Sequence, residues 1–145
     1  MGRTQVDLRP TADYESMVRL GRKSGLEIEN LGPVLAAYVL FEGKELVGCA
    51  CLKEHEGSFL LECLAVEERL RGTGLGTRLV RAVETEAWKR GATRLIVLAR
   101  SPGFFQKVGY REPETGEISY PTLSGCAGCS QFNVTCFPAV FVRDF

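Results

Sequence analysis

The chain lacks a dominant charge. Across 145 residues, 18 Lys and Arg balance 18 Asp and Glu, so the formal net charge is zero. No global positive field exists to draw in nucleic acid or anionic lipid, and any affinity for anions must be local. Long apolar runs are also missing: none approaches the length of a membrane-spanning helix. The start, Met1-Gly2-Arg3-Thr4-Gln5, has no apolar stretch of the secretory kind. Gly2 invites a myristoylation reading, but Val6 stands where that signal uses Ser or Thr. A cytoplasmic protein is therefore expected, and its six cysteines are then mostly reduced thiols. What remains is ordinary globular material, 45% hydrophobic and 25% charged. The length fits one domain over residues 1–145, with enough chain to bury a core.

The pattern along the chain predicts a mixed sheet. Gln5 to Arg9 reads as a short strand, and Asp13 to Ser24 as a helix with Tyr14, Met17, Val18 and Leu20 on its apolar face. Thr11 or Asp13 can cap that helix. Leu26 to Pro33 is either irregular or a second short helix. Tyr38 to Phe41, Leu46 to Lys53 and Phe59 to Val66 are three strands joined by turns, an antiparallel meander. From Leu75 a helix follows, with Leu75, Leu79, Ala82, Val83, Ala87 and Trp88 on one face and Arg78, Arg81, Thr85 and Lys89 facing out. Gly91 stops it. Arg94 to Ala99 is a buried strand, which makes a parallel βαβ unit with the strand before the helix. Phe104 to Val108 is a short helix, Glu112 to Ser130 a loop, and Ala139 to Val142 a last strand. No internal repeat and no second domain are visible.

The most informative stretch is Arg69-Leu70-Arg71-Gly72-Thr73-Gly74-Leu75-Gly76-Thr77. It joins a strand to the first turn of a helix. Glycines let a backbone approach a ligand, and that first turn carries N–H groups with no intrahelical partner. The helix dipole and Arg71 add positive potential there. A pyrophosphate is the expected guest; a plain turn without a ligand is the competing reading. The Gly72-x-Gly74-x-Gly76 spacing does not match a dinucleotide fingerprint, and Gly76-Thr77 lacks the lysine of a P-loop.

Arg71-Gly72-Thr73-Gly74-Leu75-Gly76 resembles the acetyl-CoA motif of the GNAT N-acetyltransferases, Arg/Gln-x-x-Gly-x-Gly/Ala. Phe104-Phe105-Gln106-Lys107-Val108-Gly109-Tyr110 is similar to the family's second, aromatic-rich motif. The resemblance implies an α/β (α+β) fold whose mainly antiparallel sheet opens in a central V-shaped splay. It implies acetyl-CoA as the cofactor, with its pyrophosphate on the amides of Arg71, Gly72, Thr73, Gly74, Leu75, Gly76 and Thr77. The pantetheine arm then pairs with the strand ending at Leu64, Ala65 and Val66, whose N–H groups polarise the thioester carbonyl. Phe105 packs along the cofactor or the core. The amine attacks directly.

An ammonium must lose a proton before it attacks, and a carboxylate can take it. Glu62 is the candidate base. Strand alternation puts it on one face with Leu64 and Val66, opposite Cys63 and Ala65, and a lone carboxylate in an apolar run invites a raised pKa. The family's usual acid is a tyrosine at the position of Phe105, which cannot donate a proton. Solvent, the substrate ammonium or another residue such as Tyr120 must serve, and Tyr110 is expected to pack. In the tail, Cys126, Cys129 and Cys136 are three thiols where structural zinc uses four ligands. The only histidine, His55, lies far away in sequence; a fourth ligand could come from Cys49, Cys51 or Cys63, and a Cys-x-x-Cys redox pair is a further alternative, but plain buried thiols, with no metal, are the expected reading. The tail is loosely similar to those of glutamate N-acetyltransferase-like and arsenic-resistance-associated acetyltransferases, which points to a small-molecule amine such as an amino acid. Acetylation of a peptide N-terminus or lysine is the alternative. An acetyl-CoA-binding regulatory module with little turnover is an alternative of another class. Edge strands at the C-terminus of such folds often pair across a homodimer.

Overall fold

Two short turns, Gly43-Lys44 and Glu56-Gly57, fold the first half of the chain back on itself twice, and the strands they join are the centre of the sheet. In the computed structural model, which describes residues 5–24, 33–99, 102–114 and 139–145, the strands are β1 (Val6–Pro10), β2 (Ala36–Glu42), β3 (Glu45–His55), β4 (Ser58–Val66), β5 (Arg94–Ala99) and β6 (Ala139–Asp144). The helices are α1 (Tyr14–Lys23), α2 (Leu75–Lys89) and α3 (Pro102–Lys107). The six strands pair in chain order, β1 to β6. Only β4 and β5 run parallel, and α2 connects them; the other pairs are antiparallel. The expected meander, βαβ unit and last strand are all present. The segment 25–32, Tyr120, Cys126, Cys129 and Cys136 lie outside the described residues.

Among the described residues, α1 covers one face of the sheet and α2 the other. Met17, Val18 and Leu20 of α1 pack against Ala37, Val39, Cys49, Cys51 and Ala65. Asp13 caps α1 by accepting from the Ser16 amide at 3.1 Å and its hydroxyl at 2.7 Å. These bonds hold the Asp13 carboxyl below its ordinary range. On the opposite face α2 buries Leu79, Val80, Val83 and Ala87 completely against Val47, Ala50, Leu52 and Leu61. Full burial of each larger aliphatic side chain contributes about 1.5–3 kcal/mol relative to exposure. At its end, the Gly91 amide donates to the Trp88 carbonyl and the Ala92 amide to that of Ala87, both at 3.0 Å. This paired pattern closes the helix where the sequence predicts.

One helix face differs from expectation. Trp88 is 66% exposed and Glu84 is 8% exposed. The buried stripe runs Leu75-Leu79-Val83-Ala87 with Val80 and Glu84 beside it, and each residue advances about 100° around the axis. Trp88 therefore falls outside the stripe and Glu84 inside it. No helix among the described residues is long and apolar enough to cross a membrane.

Candidate active site

The loop between β4 and α2 is held at its root and open at its top. The Glu67 amide donates to the Val47 carbonyl at 2.8 Å, and Glu68–Leu70 form a single 3-10 turn. Lys23 reaches Glu67 at 2.6 Å, and Arg69 reaches Glu42 at 2.6 Å and Glu45 at 3.4 Å. Lys23 and Arg69 are largely solvated, so these contacts orient the loop more than they stabilise the fold. Further along, Arg71 Nε donates to the Val66 carbonyl at 3.2 Å, and Thr73 Oγ1 donates to that of Leu70 at 2.5 Å. Gly72 and Gly74 take φ of +79° and +87°, and a Cβ on either would meet no protein atom within 4 Å. A left-handed backbone with nothing above it is where glycine is required and where a ligand has room.

Gly74 is the N-cap of α2, and its carbonyl accepts the first helical bond, from the Arg78 amide at 3.1 Å. Among the described residues, no protein acceptor takes the amides of Gly72, Thr73, Gly74, Leu75, Gly76 or Thr77. Six consecutive donors thus stand at the positive end of a 15-residue helix whose first turn carries no acid. Arg71 differs from the expectation: its amide is already bonded to the Glu68 carbonyl at 3.2 Å, so only its side chain adds to the positive field. Gly76 has another reason to be glycine. A Cβ there would lie 3.2 Å from Phe104 Cζ, so the ring of Phe104 is seated directly on the helix start.

Beside this loop, β4 is irregular. Cys51 pairs with Glu62 and Cys49 with Ala65, so Cys63 and Leu64 together face Ala50. Cys63 takes a φ of +55°. The extra residue is a β-bulge, and it resets which face each side chain takes. Glu62 consequently shares the α1 face with Cys51 and Ala65, whereas Leu64 and Val66 pack on the α2 side. The expected grouping of Glu62 with Leu64 and Val66 is corrected: unbroken alternation fails across the bulge. The ladder between β4 and β5 has only two rungs, Leu60 with Ile96 and Leu61 with Val97. From Glu62 to Val66 the β5-facing edge of β4 has no strand partner among the described residues, so the sheet opens just ahead of the glycine loop.

Glu62 stands at the apex of that opening, and it is not alone. Lys53 Nζ lies 2.9 Å from Glu62 Oε2, with the side chains 20% and 35% exposed. Lys53 was missed from the sequence, although counting outward from the Glu56-Gly57 turn places it diagonal to Glu62. Three thiols, Cys49, Cys51 and Cys63, surround the bulge. Cys49 Sγ donates to the Cys63 carbonyl at 3.3 Å. The hydrogen bond between the thiols of Cys49 and Cys63 raises Cys49 and lowers Cys63, and burial reinforces the rise at Cys49. Burial pushes Cys51 up to about 12. Among the described residues no group of three or more His, Cys, Asp or Glu side chains is placed to hold a metal ion.

The second aromatic motif divides its labour. Phe105 is 4% exposed and packs edge-on to Phe104 and Tyr110 and parallel to Phe141. It belongs to the core, and Phe104 is the aromatic that borders the loop. Tyr110 packs as expected, but its hydroxyl also donates to Glu84 Oε2 at 2.7 Å. Burial, followed by Glu84, pushes that phenol up. Arg81 donates to both Glu84 oxygens at 2.8 and 3.0 Å, and Arg143 Nη1 lies 3.5 Å away. Arg81 and Arg143 both also donate to the Val108 carbonyl. This cluster ties α2, Val108 just after α3 and β6 together, and Arg81 takes part in it while its side chain stays 43% exposed.

The arrangement has counterparts in known proteins. The model of the acetyltransferase (GNAT) family matches residues 8–110. An uncharacterised N-acetyltransferase of Chlorobaculum tepidum is 28% identical over 86 residues, 59% of this chain and 56% of that protein. The chain thus spans about half the length of that relative. Among solved structures, N-acetylglutamate synthase from Neisseria gonorrhoeae, complexed with coenzyme A and N-acetyl-glutamate, aligns with a TM-score of 0.75 at 22% identity, covering 99% of this chain and 36% of that one. A GNAT family acetyltransferase from Elizabethkingia anophelis with acetyl-CoA bound aligns with a TM-score of 0.70 at 17% identity, covering 99% and 100%.

Proposed function

Because the chain belongs to the acetyltransferase (GNAT) family, we propose that it transfers the acetyl group of acetyl-CoA to the primary amine of a small molecule, an amino acid or similar compound. The observation that carries this reading is the run of six amides, Gly72 to Thr77, unclaimed among the described residues, with open space above Gly72 and Gly74 at the N-terminus of α2. Those donors match the oxygens of a diphosphate, and the side chain of Arg71 adds a full charge. Acetyl-CoA supplies the acetyl group as a thioester, so direct attack by the amine needs no covalent enzyme intermediate.

The residues divide the work by position. The edge of β4 at Leu64, Ala65 and Val66 that has no β5 partner among the described residues receives the pantetheine amides as an added strand would. Backbone N–H groups there aim at the carbonyl oxygen as charge grows on it. Phe104, rather than Phe105, flanks the cofactor beside Gly76. Glu62 takes the proton of the incoming ammonium, directly or through water. Phe105 has no proton to give and Tyr110 is committed to Glu84, so the leaving thiol takes its proton from solvent, from the substrate ammonium or from another residue such as Tyr120. The gonorrhoeal enzyme, crystallised with N-acetyl-glutamate, supports an amino acid as acceptor.

Thiol release from acetyl-CoA in the presence of the standard amino acids tests the proposal, with acetyl-CoA affinity measured in parallel by calorimetry. Amine-dependent release with at least one amino acid is expected. Tight acetyl-CoA binding with no release across amino acids, amines and peptides would overturn transfer and leave a binding module. Failure to bind acetyl-CoA would overturn the site itself.

A further inference from the structure

The ion pair at the apex of the splay is an unusual element of this sheet. Lys53 stands opposite Leu60 in the ladder and Glu62 opposite Cys51. Leu60 and Cys51 are 4% and 0% exposed. The pair thus bridges two buried apolar positions on the α1 face. Its two charges also act on the thiols of Cys51 and Cys63, which places all four groups at the bulge. Partly desolvated pairs of this kind return little net stability, and apolar residues of similar size serve folding as well or better. The location indicates use instead. Glu62 is the first β4 residue past the last rung to β5, where the sheet parts.

We propose that Lys53 and Glu62 form a recognition site for a zwitterion, so that the acceptor is a free α-amino acid: its carboxylate binds Lys53 and its ammonium faces Glu62. The inference rests on the acetyl-transfer reading and adds the acceptor's carboxylate to it. In the free protein the two side chains neutralise each other at 2.9 Å. An α-amino acid carries the same two charges one carbon apart, with no net charge. Inserting it exchanges one ion pair for two and leaves the site neutral. A simple amine brings a charge to Glu62 but offers nothing to Lys53, which is then left with a separated partner. Binding the zwitterion also sets the ammonium beside the proposed base, so recognition and deprotonation share one geometry.

The test compares the standard amino acids with their α-carboxamides as acceptors, using the full chain and acetyl-CoA. The carboxamide's amine is the weaker base and is more deprotonated at neutral pH. Ionisation alone therefore favours the amide, and any preference for the acid reports recognition. In the wild-type protein kcat/KM is expected to favour the best amino acid over its carboxamide by about tenfold or more, the factor a charge-assisted hydrogen bond supplies. Lys53→Met should bring that ratio close to one, mainly through KM, and Lys53→Arg should keep it. Acetyl-CoA affinity verifies that each variant is folded. A wild-type ratio near one overturns the proposal whatever the variants do, as does an unchanged ratio in folded Lys53→Met. No thiol release with any acceptor removes the transfer reading and this inference together; release with amides as fast as with acids removes only this inference.

Discussion

A charge reversal at Gly74 separates the electric field of the loop from the strain of its backbone. Gly74 has a φ of +87° and open space where a Cβ would stand. Any L side chain there costs about 1–2 kcal/mol of backbone strain and collides with nothing. Gly74→Glu and Gly74→Lys share that cost and differ in sign of charge. The added group stands at the mouth of α2, roughly 4–6 Å from a diphosphate lying on the amides, where two unit charges interact by about 1–3 kcal/mol at dielectrics between surface protein and water. Replacing Lys by Glu spans twice that energy. Coenzyme A affinity is therefore expected to be at least about thirtyfold weaker for Gly74→Glu than for Gly74→Lys. Titration calorimetry at about 0.1 M and 1 M salt measures the gap, which should narrow as the screening length falls from about 10 Å to about 3 Å. Thermal unfolding should fall for both variants through the shared backbone strain, and slightly less for Gly74→Glu, because the N-terminus of α2 favours an acid over a base by about 0.3–1 kcal/mol. Equal affinities for the two, or a Gly74→Glu protein that binds like the parent, would refute a diphosphate seated on this loop.

Three further outcomes can be checked on the same protein. Glu62→Gln should lower turnover at neutral pH and recover in part at high pH, where the amine deprotonates unaided; a flat pH response removes Glu62 as the base. Tyr110→Phe takes a donor from buried Glu84 and should cost about 1.5–3 kcal/mol in urea unfolding, and no loss would mean that Arg81 and Arg143 satisfy the carboxylate alone. Folding raises the Tyr110 phenol, so its contribution is complete below the unfolded value near 10 and declines as pH rises beyond it. The alkaline loss of stability should thus be shallower in Tyr110→Phe. In the native protein, iodoacetamide followed by peptide mass spectrometry should find Cys63 alkylated before Cys49 and Cys51, because the Cys49 hydrogen bond lowers Cys63 while its neighbours are raised and buried; equal labelling of Cys51 contradicts that order.

What could be read from the sequence was whatever depends on near neighbours. The glycine spacing from Gly72 to Gly76, the stop at Gly91 and the two hairpin turns are local signals, and each falls where the chain uses it. The α2 face was misread because hydrophobicity alone assigns Trp88 inward and Glu84 outward. Glu84 is buried by partners from elsewhere: Arg81 one turn away, Tyr110 beyond α3 and Arg143 on β6. Phe104 and Phe105 are adjacent in sequence and point to different surroundings. Which one meets the loop depends on where Gly76 leaves room, a fact held by another helix. The face of Glu62 was lost for a related reason. A bulge at a non-glycine residue leaves no compositional mark, and one extra residue inverts the phase of a strand.

That extra residue is where geometry and chemistry meet. A cysteine at φ +55° is held in a region that costs an L-residue about 1–2 kcal/mol, and such strain persists only where surrounding structure enforces it. Here the surroundings are the Cys49 thiol bonded to the Cys63 carbonyl and the resumed pairing of Ala65 with Cys49. Counted outward from the Glu56-Gly57 turn, Glu62 is on the α1 side with Lys53 whether or not the strand is regular; without the extra residue Leu64 and Val66 would turn to that side as well, and the bulge is what sends them to the α2 side. With the bulge, the carboxylate stays with Lys53 on the α1 side while Leu64 and Val66 pack toward α2, and among the described residues their β5-facing edge has no strand partner. One strand thereby offers a charged pair before the bulge and, among the described residues, an edge without a strand partner after it, where the Val66 carbonyl is taken by Arg71 Nε. In the proposed acetyl transfer, an amine at the charged pair and a thioester along that edge would meet beside the bulge.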